Sequence, residues 1–530
     1  MPNTKKLLSI TNLKKYFPIA KSSIFQKQQY YVKANEDITL DIYEGETLGI
    51  VGESGCGKST LGRVLLQLYE QTAGTTMYYG VSRAEVAPRY VLDTLRHVDK
   101  YKARLQKAKT HAKAMAEKAD ALGDQASFFD LQNKNLALAE AQTAEAHIAK
   151  ILGGFLVRDT KTGAALLYKK ALLADASAAL NERIRDVDLL LDETADDNQK
   201  PLSAAKRKKL LDARSALSAQ RDQKKAHMSE LDQKIATAKK PYLDDPEFLK
   251  YEEMLDDGID LARLKYSEMR LLRKDLQLVF QDPYSSLNPR MTVGQIIEEG
   301  LVAHKFYRHG SPKMKEHILN VMRMCGLQDY MLHRYPHQFS GGQRQRISIA
   351  RALAVHPKFV VCDECVSALD VSIQSQIINL LLELKEKEHL TYMFISHDLS
   401  VVRYISDRIC VMYLGNIVEL ADAATIFDDP RHPYTVALLS SIPTTDPDSL
   451  QKERILLEGN IPSPIKPPSG CKFHTRCYMA CDKCKRVPPA LTEVEPGHFV
   501  ACHFPQRKID EKGNYLFELP ATERKSARVD

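Results

Sequence analysis

The sequence predicts an α/β chain: a parallel-sheet core built around a phosphate-binding loop, split by a long helical insertion and followed by a cysteine-bearing extension. Three observations predict it. An apolar stretch runs into "GESGCGKST" at residues 52–60, a second apolar stretch ends on the acidic pair Asp363 and Glu364, and apolar residues recur three and four apart between Val98 and Leu122.

Composition sets the frame for these elements. At 530 residues the chain exceeds what one hydrophobic core supports, so two or three folding units are expected. With 44% hydrophobic and 27% charged residues it reads as a soluble globular protein. No stretch approaches the roughly 18 apolar residues that a membrane-spanning helix needs. The opening "MPNTKKLLSITNLKKYF" lacks the apolar centre of a secretion signal, which points to the cytoplasm. A net charge of +7 is mild over so long a chain and supports nucleic-acid binding only weakly, so no nucleic-acid partner is expected. In a reducing compartment the tail cysteines read as metal ligands or buried thiols rather than disulfides.

The first element is a strand, Thr47 to Val51, that enters a glycine-rich turn and then a helix with Leu61, Leu65 and Leu68 on one face. Gly52, Gly55 and Gly57 let the backbone bend so that N–H groups converge on phosphates. The loop residues taken to bind them are Gly52, Ser54, Gly55, Cys56, Gly57, Lys58, Ser59 and Thr60, with Lys58 reaching the terminal phosphates and the Ser59 hydroxyl binding Mg²⁺. The second strand, Phe359 to Cys362, delivers Asp363 as a magnesium ligand through water and Glu364 to polarise an attacking water. A third, within "TYMFIS", presents His397 at its end.

"QFSGGQRQR" at 338–346 resembles the signature loop of the ATP-binding cassette ATPases, with Phe339 where that family commonly has leucine. Gln281 in "VFQDPYSSLNPR" matches the family's glutamine loop, Ser367 to Asp370 the loop after the acidic pair, and His397 its switch histidine. The resemblance covers residues 7–80 and 266–505. It implies a RecA-like core with antiparallel β and helical subdomains that binds ATP and Mg²⁺, the ion held by Ser59, Gln281 and Asp363. It assigns hydrolysis to Glu364, Gln281 and His397, and places Phe17, or less favourably Tyr16, against adenine. Ser340, Gly341, Gly342 and Gln343 head a helix whose N-terminus is a second anion site. In the family that site faces the ATP of another subunit. One chain carries one phosphate loop and one signature, so a partner ATPase is implied.

The stretches "QDPYSSLNPRMTVGQ", "RHPYTVALLSSIP" and "PSPIKPPSGCKFHTRC" look like the ATPase subunits of bacterial oligopeptide and dipeptide importers, specifically the second, F-type, of two non-identical ATPases. That resemblance implies a heterodimer, two transmembrane permease subunits, an extracytoplasmic peptide-binding protein acting indirectly, and a peripheral position on the cytoplasmic face of the membrane. Import of nickel or another small solute is the alternative, and a chromosome- or ribosome-associated ATPase a remoter one. The chain divides into a first core part (1–80), a helical coiled-coil insertion (81–265), the remainder of the core (266–425) and a C-terminal extension with the cysteine cluster (426–530).

Three features depart from the family. The insertion carries the seam Val98, Tyr101, Leu105, Ala108, Ala112, Met115, Ala119 and Leu122, the spacing of a coiled coil. Further helices are expected at 131–152, 168–191 and 203–237, with breaks at 152–168 and 192–203, giving an antiparallel projection with solvated charged faces. Cys365 stands where the family has proline. Finally, Cys471, Cys477, Cys484 and Cys502 match a tail that in some peptide-importer ATPases holds a [4Fe-4S] cluster, while Cys481 is extra. The same four thiols would suit Zn²⁺, or remain metal-free. Lying beyond the phosphate-binding motifs, the tail is expected to play a structural or redox role and to tie the extension to the partner subunit.

Overall fold

Alternating buried residues explain the first sheet. In β1 (Lys6–Pro18) Leu8 and Ile10 turn inward at a period of two and Leu13 follows past a register shift, and in β2 (Tyr31–Tyr43) Ile38, Leu40 and Ile42 alternate inward, so that one face is buried. The two strands pair antiparallel with Ile10 opposite Leu40. The computed structural model describes residues 5–21, 28–191, 203–442 and 455–505, and the backbone of 508–509 and 515–516.

β3 (Thr47–Val51) is buried at every position, as a strand covered on both faces must be. It opens the second sheet, whereas β4 (Ala73–Tyr78) pairs with β1, and β5 (Ile259–Asp260) pairs with β4, giving the order β2-β1-β4-β5. The second sheet adds β6 (Leu276–Val279), β7 (Phe359–Asp363), β8 (Thr391–Ile395), β9 (Arg408–Tyr413), β10 (Asn416–Asp422), β11 (Thr492–Glu495) and β12 (His498–Val500). Its order is β11-β12-β10-β9-β3-β8-β7-β6. The strands from β9 through β3, β8 and β7 to β6 are parallel, and β10, β12 and β11 add antiparallel. A two-residue turn, Leu414 and Gly415, both with positive φ, joins β9 to β10. The extension is therefore part of the main sheet: β12 hydrogen-bonds to β10 through Glu419 opposite Val500.

The helix Lys58–Leu65 follows β3 and buries Leu61, Val64 and Leu65 between the sheets. Leu68, expected on that face, lies past the helix end and is exposed. Helices Val293–Ala303 and Pro312–Met324 pack on the helix Gly341–Leu353 to form the helical region.

The chain leaves the first sheet after β4 and returns at β5, where Ile259 sits opposite Tyr78. Between them stand two helical hairpins. Val98–Leu122 packs on Phe128–Leu152, and Thr160–Leu191 on Ala204–Lys239. Ion pairs Lys118–Asp130 and Lys109–Glu145 fix the first pair antiparallel, and Lys170–Asp232 and Arg214–Asp188 the second. Along the seam Val98, Leu105, Ala108, Ala112 and Ala119 are buried, while Leu122 at the tip is exposed. The expected break at 152–168 is shorter than the sequence suggests: the helix resumes at Thr160, with the Asp159 carboxylate accepting from Thr162 N–H, and Gly163 tolerated because it lets the Phe155 ring close on the backbone. The second expected break, at 192–203, falls almost wholly outside the described residues.

Candidate ATP site

The phosphate loop lies at the carboxyl end of β3, where open parallel sheets bind ligands. Its tight path is enforced sterically. Gly57 has φ 104° and any side chain there would strike the Ala34 carbonyl, while one at Gly52 would strike the Met412 carbonyl. Lys58 is buried, and its ammonium donates to the carbonyls of Gly52 (2.7 Å) and Glu53 (3.1 Å). Ser54 and Gly55 form the exposed rim of the loop, whereas the Cys56 thiol is buried and its pKa pushed up by that burial. Ser59 and Thr60 lie in the first turn of the helix.

Two strands over, β7 ends on Asp363, whose Oδ1 accepts from the Ser59 hydroxyl at 2.6 Å while Oδ2 faces Arg63 at 3.4 Å. The next residue, Glu364, has a left-handed backbone (φ 49°) held by its N–H to the Ile395 carbonyl (3.0 Å) and by the Ser367 hydroxyl to its own carbonyl (2.9 Å). Its Oε2 accepts from Gln281 Nε2 at 2.8 Å and lies 3.7 Å from His397 Nδ1. Gln281 comes from the end of β6 and His397 from the end of β8. Three parallel strands thus deliver an amide, a carboxylate and an imidazole to one point beside the Ser59–Asp363 pair. Cys365, in the proline position, is buried beneath.

Of the two aromatic candidates, Tyr16 is buried and donates its hydroxyl to Glu36 at 2.7 Å, whereas Phe17 on the other face of β1 is half-buried, edge-on to Tyr69 (5.4 Å) with the Lys15 ammonium 4.5 Å from its ring centre. The signature residues lie apart from this cleft. Ser340 caps the helix Gly341–Leu353 in a reciprocal box with Gln343, Gly342 closes against Ile373, and none of the four bonds to the phosphate loop among the described residues. Phe339 is buried in the helical core. The signature helix instead holds the glutamine-loop segment: Arg344 stacks on Tyr284 (3.8 Å), and Arg351 donates to the Ser286 carbonyl (2.7 Å).

Cys471, Cys477, Cys484 and Cys502 line one small cavity with His432, His474 and His503. Cys481 Sγ lies 3.7 Å from Cys484 Sγ. Burial pushes the Cys484 thiol up to about 11 and the Cys502 thiol up to about 12. The donor set fits a thiolate-binding metal in kind, although among the described residues no three candidate ligands stand at metal-binding distances. The segment does not stand clear of the ATPase motifs as expected. Arg476, between the first two cysteines, pairs with both oxygens of Glu53 in the phosphate loop at 2.7 and 3.0 Å. Sequence reasoning missed Glu53, Arg476 and Tyr434, whose hydroxyl accepts from Glu53 N–H at 2.9 Å. No local pattern signals a pair 423 positions apart.

Residues 35–221 and 249–367 match the family described as "ABC transporter". The chain belongs to the ABC transporter family. Residues 418–484 match a second description, "Oligopeptide/dipeptide transporter, C-terminal region", which covers most of β10 and the cysteine segment as far as Cys484. Among ABC relatives, the oligopeptide transport ATP-binding protein AppF of Bacillus subtilis is 52% identical over 255 residues, 47% of this chain and 76% of that protein. The oligopeptide transport ATP-binding protein OppF of Haemophilus influenzae is 49% identical over 251 residues, 47% of this chain and 75% of that protein.

Proposed function

We propose that this chain is the ATP-hydrolysing subunit of an ABC importer that carries oligopeptides or dipeptides across the cytoplasmic membrane. The observation that supports it best is the meeting of Gln281, Glu364 and His397 at the strand ends beside Ser59, Asp363 and the phosphate loop. The loop N–H groups and Lys58 bind the phosphates of ATP, and Ser59, Asp363 and Gln281 hold Mg²⁺, which neutralises phosphate charge when bound. Glu364 takes a proton from the attacking water, Gln281 orients the carboxylate and that water, and His397 contacts the terminal phosphate. Phe17 stacks on adenine. Ser340, Gly341, Gly342 and Gln343 face the ATP of a partner, a second, related ATPase, so that each chain contributes half of two sites.

The peptide assignment draws on the extension match and on the relatives named for oligopeptide transport. In this reading two transmembrane permease subunits bind the chain peripherally at the cytoplasmic face, and a peptide-binding protein supplies substrate from outside. Among the described residues no helix is long and apolar enough to cross a membrane. The insertion, 81–265, takes no part in ATP chemistry. The test is MgATP hydrolysis by the purified complex with and without peptide-loaded binding protein. Stimulation by peptides is expected, and a complex stimulated by nickel but not by peptides would overturn the substrate class.

We also assign Cys471, Cys477, Cys484 and Cys502 to a [4Fe-4S] cluster, with Zn²⁺ the alternative occupant of the same thiols. A cluster would supply a redox-sensitive cross-link within the extension, joining residues 471–484 to Cys502 just past the end of β12. Protein purified without oxygen is expected to be brown and to contain about four irons per chain. Colourless protein with stoichiometric zinc would replace the cluster, and metal-free protein would remove both.

A further inference from the structure

The cysteine segment reaches the phosphate loop from two sides. Arg476, its side chain only 6% exposed, grips both carboxylate oxygens of Glu53, the second residue of the loop. Lys472 lies 2.8 Å from Glu36 Oε2 and donates to the Leu414 carbonyl at 2.9 Å. Glu36 adjoins Asn35, whose amide donates to the Gly57 carbonyl at the far end of the loop (3.2 Å). Between the two cations Phe473 is fully buried, 5.2 Å from the Tyr413 ring and 5.4 Å from that of Tyr434, and Tyr434 takes the Glu53 N–H. One five-residue stretch, Lys472 to Arg476, therefore ties down both ends of a loop whose amides must converge before phosphate arrives.

We propose that Arg476 is a positioning residue for ATP: with Lys472 and Phe473 it makes the cysteine segment a brace that holds the phosphate loop in its binding conformation. The inference rests on reading residues 52–60 as the ATP site. A planar guanidinium bonded to both carboxylate oxygens fixes orientation as well as distance, which a lysine cannot do. Pre-ordering removes from the binding step the cost of arranging the loop, so the brace raises nucleotide affinity without touching nucleotide. Because bound ATP itself orders the loop, loss of the brace falls on binding and not on the chemical step.

The test uses the full-length chain and a fluorescent methylanthraniloyl ATP with Mg²⁺, alongside steady-state hydrolysis in the purified complex. Arg476→Gln and Glu53→Gln should each weaken nucleotide binding about tenfold or more, with the KM for ATP rising and kcat retained. The double variant should be no weaker than the worse single one, because the two act as a pair. Arg476→Lys should recover part of the loss, and Arg486→Gln, exposed on the same segment, should change nothing. Thermal midpoints measured in parallel separate positioning from folding. An Arg476→Gln protein that is less heat-stable yet binds within twofold of the original would reduce the pair to a staple and overturn the proposal, as would additive losses in the double variant. If Arg476→Gln gives no folded protein, Glu53→Gln carries the same comparison. An unaltered chain that fails to bind the probe would overturn the ATP reading itself, a distinct result.

Discussion

Replacing Glu364 with glutamine changes one oxygen to an NH₂ and leaves the shape of the site intact. The left-handed backbone at 364 is held by main-chain bonds and the Ser367 hydroxyl, none of which involves the carboxylate. Through its remaining oxygen the new amide can still accept from Gln281, now 2.8 Å from Glu364 Oε2, and Ser59, Asp363 and Lys58 are untouched. What disappears is the basic oxygen. Loss of a positioned general base costs about 10² to 10⁴ in rate, which is about 2.7 to 5.5 kcal/mol of barrier. The assay is single-turnover hydrolysis of labelled ATP by the purified complex, with nucleotide affinity measured separately. Hydrolysis should fall by at least 100-fold while affinity stays within about threefold, whereas Lys58→Ala should weaken binding as well. A Glu364→Gln protein hydrolysing within threefold of the original rate would refute the assignment of the base.

Other consequences can be checked on the same protein. Glu36 is buried, which alone would raise its pKa, but Lys472 and Lys33 outweigh burial and bring it from 4.5 to about 2. A carboxyl held low in the folded state stabilises above its unfolded pKa. That stability, up to about 3 kcal/mol, should be lost as pH falls from about 4.5 to 2, and Glu36→Gln should flatten acid denaturation over that interval. Glu419 is fully buried, accepts from the N–H groups of Arg431 (2.6 Å) and His432 (3.0 Å), and meets His498 Nε2 at 2.8 Å across the β10–β12 join. His498→Ala should cost about 2 to 3 kcal/mol in urea denaturation, and a loss below about 0.5 kcal/mol would show that the join is held elsewhere. Because Tyr78 and Ile259 are direct partners in adjacent antiparallel strands, a short glycine-serine turn can replace the helical hairpins between them. ATP hydrolysis in the assembled complex should persist after that replacement, and its loss in a complex that still assembles would make the insertion part of the ATPase.

Local chemistry made much of this legible in the sequence. The glycines that must bend at 52–57, the buried runs of β3, β7 and β8, and the three-four spacing from Val98 each follow from neighbours within a few residues. The meeting of Gln281, Glu364 and His397 follows once β6, β7 and β8 lie parallel side by side. What stayed hidden depends on contacts across the chain. β11 and β12 are four and three residues long around Gly497, too short for alternation to register, so the extension did not read as part of the main sheet. The stretch 152–168 read as a break, yet Gly163 within it serves close packing against Phe155 inside a helix. Tyr16 and Phe17 are adjacent in sequence, and the pairing of Tyr16 with buried Glu36 marks it as a core residue, which leaves Phe17 as the adenine candidate. The Arg476–Glu53 pair joins positions with no local relation at all.

If this chain drives a peptide importer, it works bound to permease subunits in the membrane beside a second ATPase. Affinity purification of the tagged full-length chain from native membranes, with the captured proteins identified by mass, tests it most directly. Two polytopic permease subunits and a second, non-identical ATPase of the same family are predicted to copurify in comparable amounts. Capture of ribosomal or chromosomal proteins with no membrane protein would contradict it.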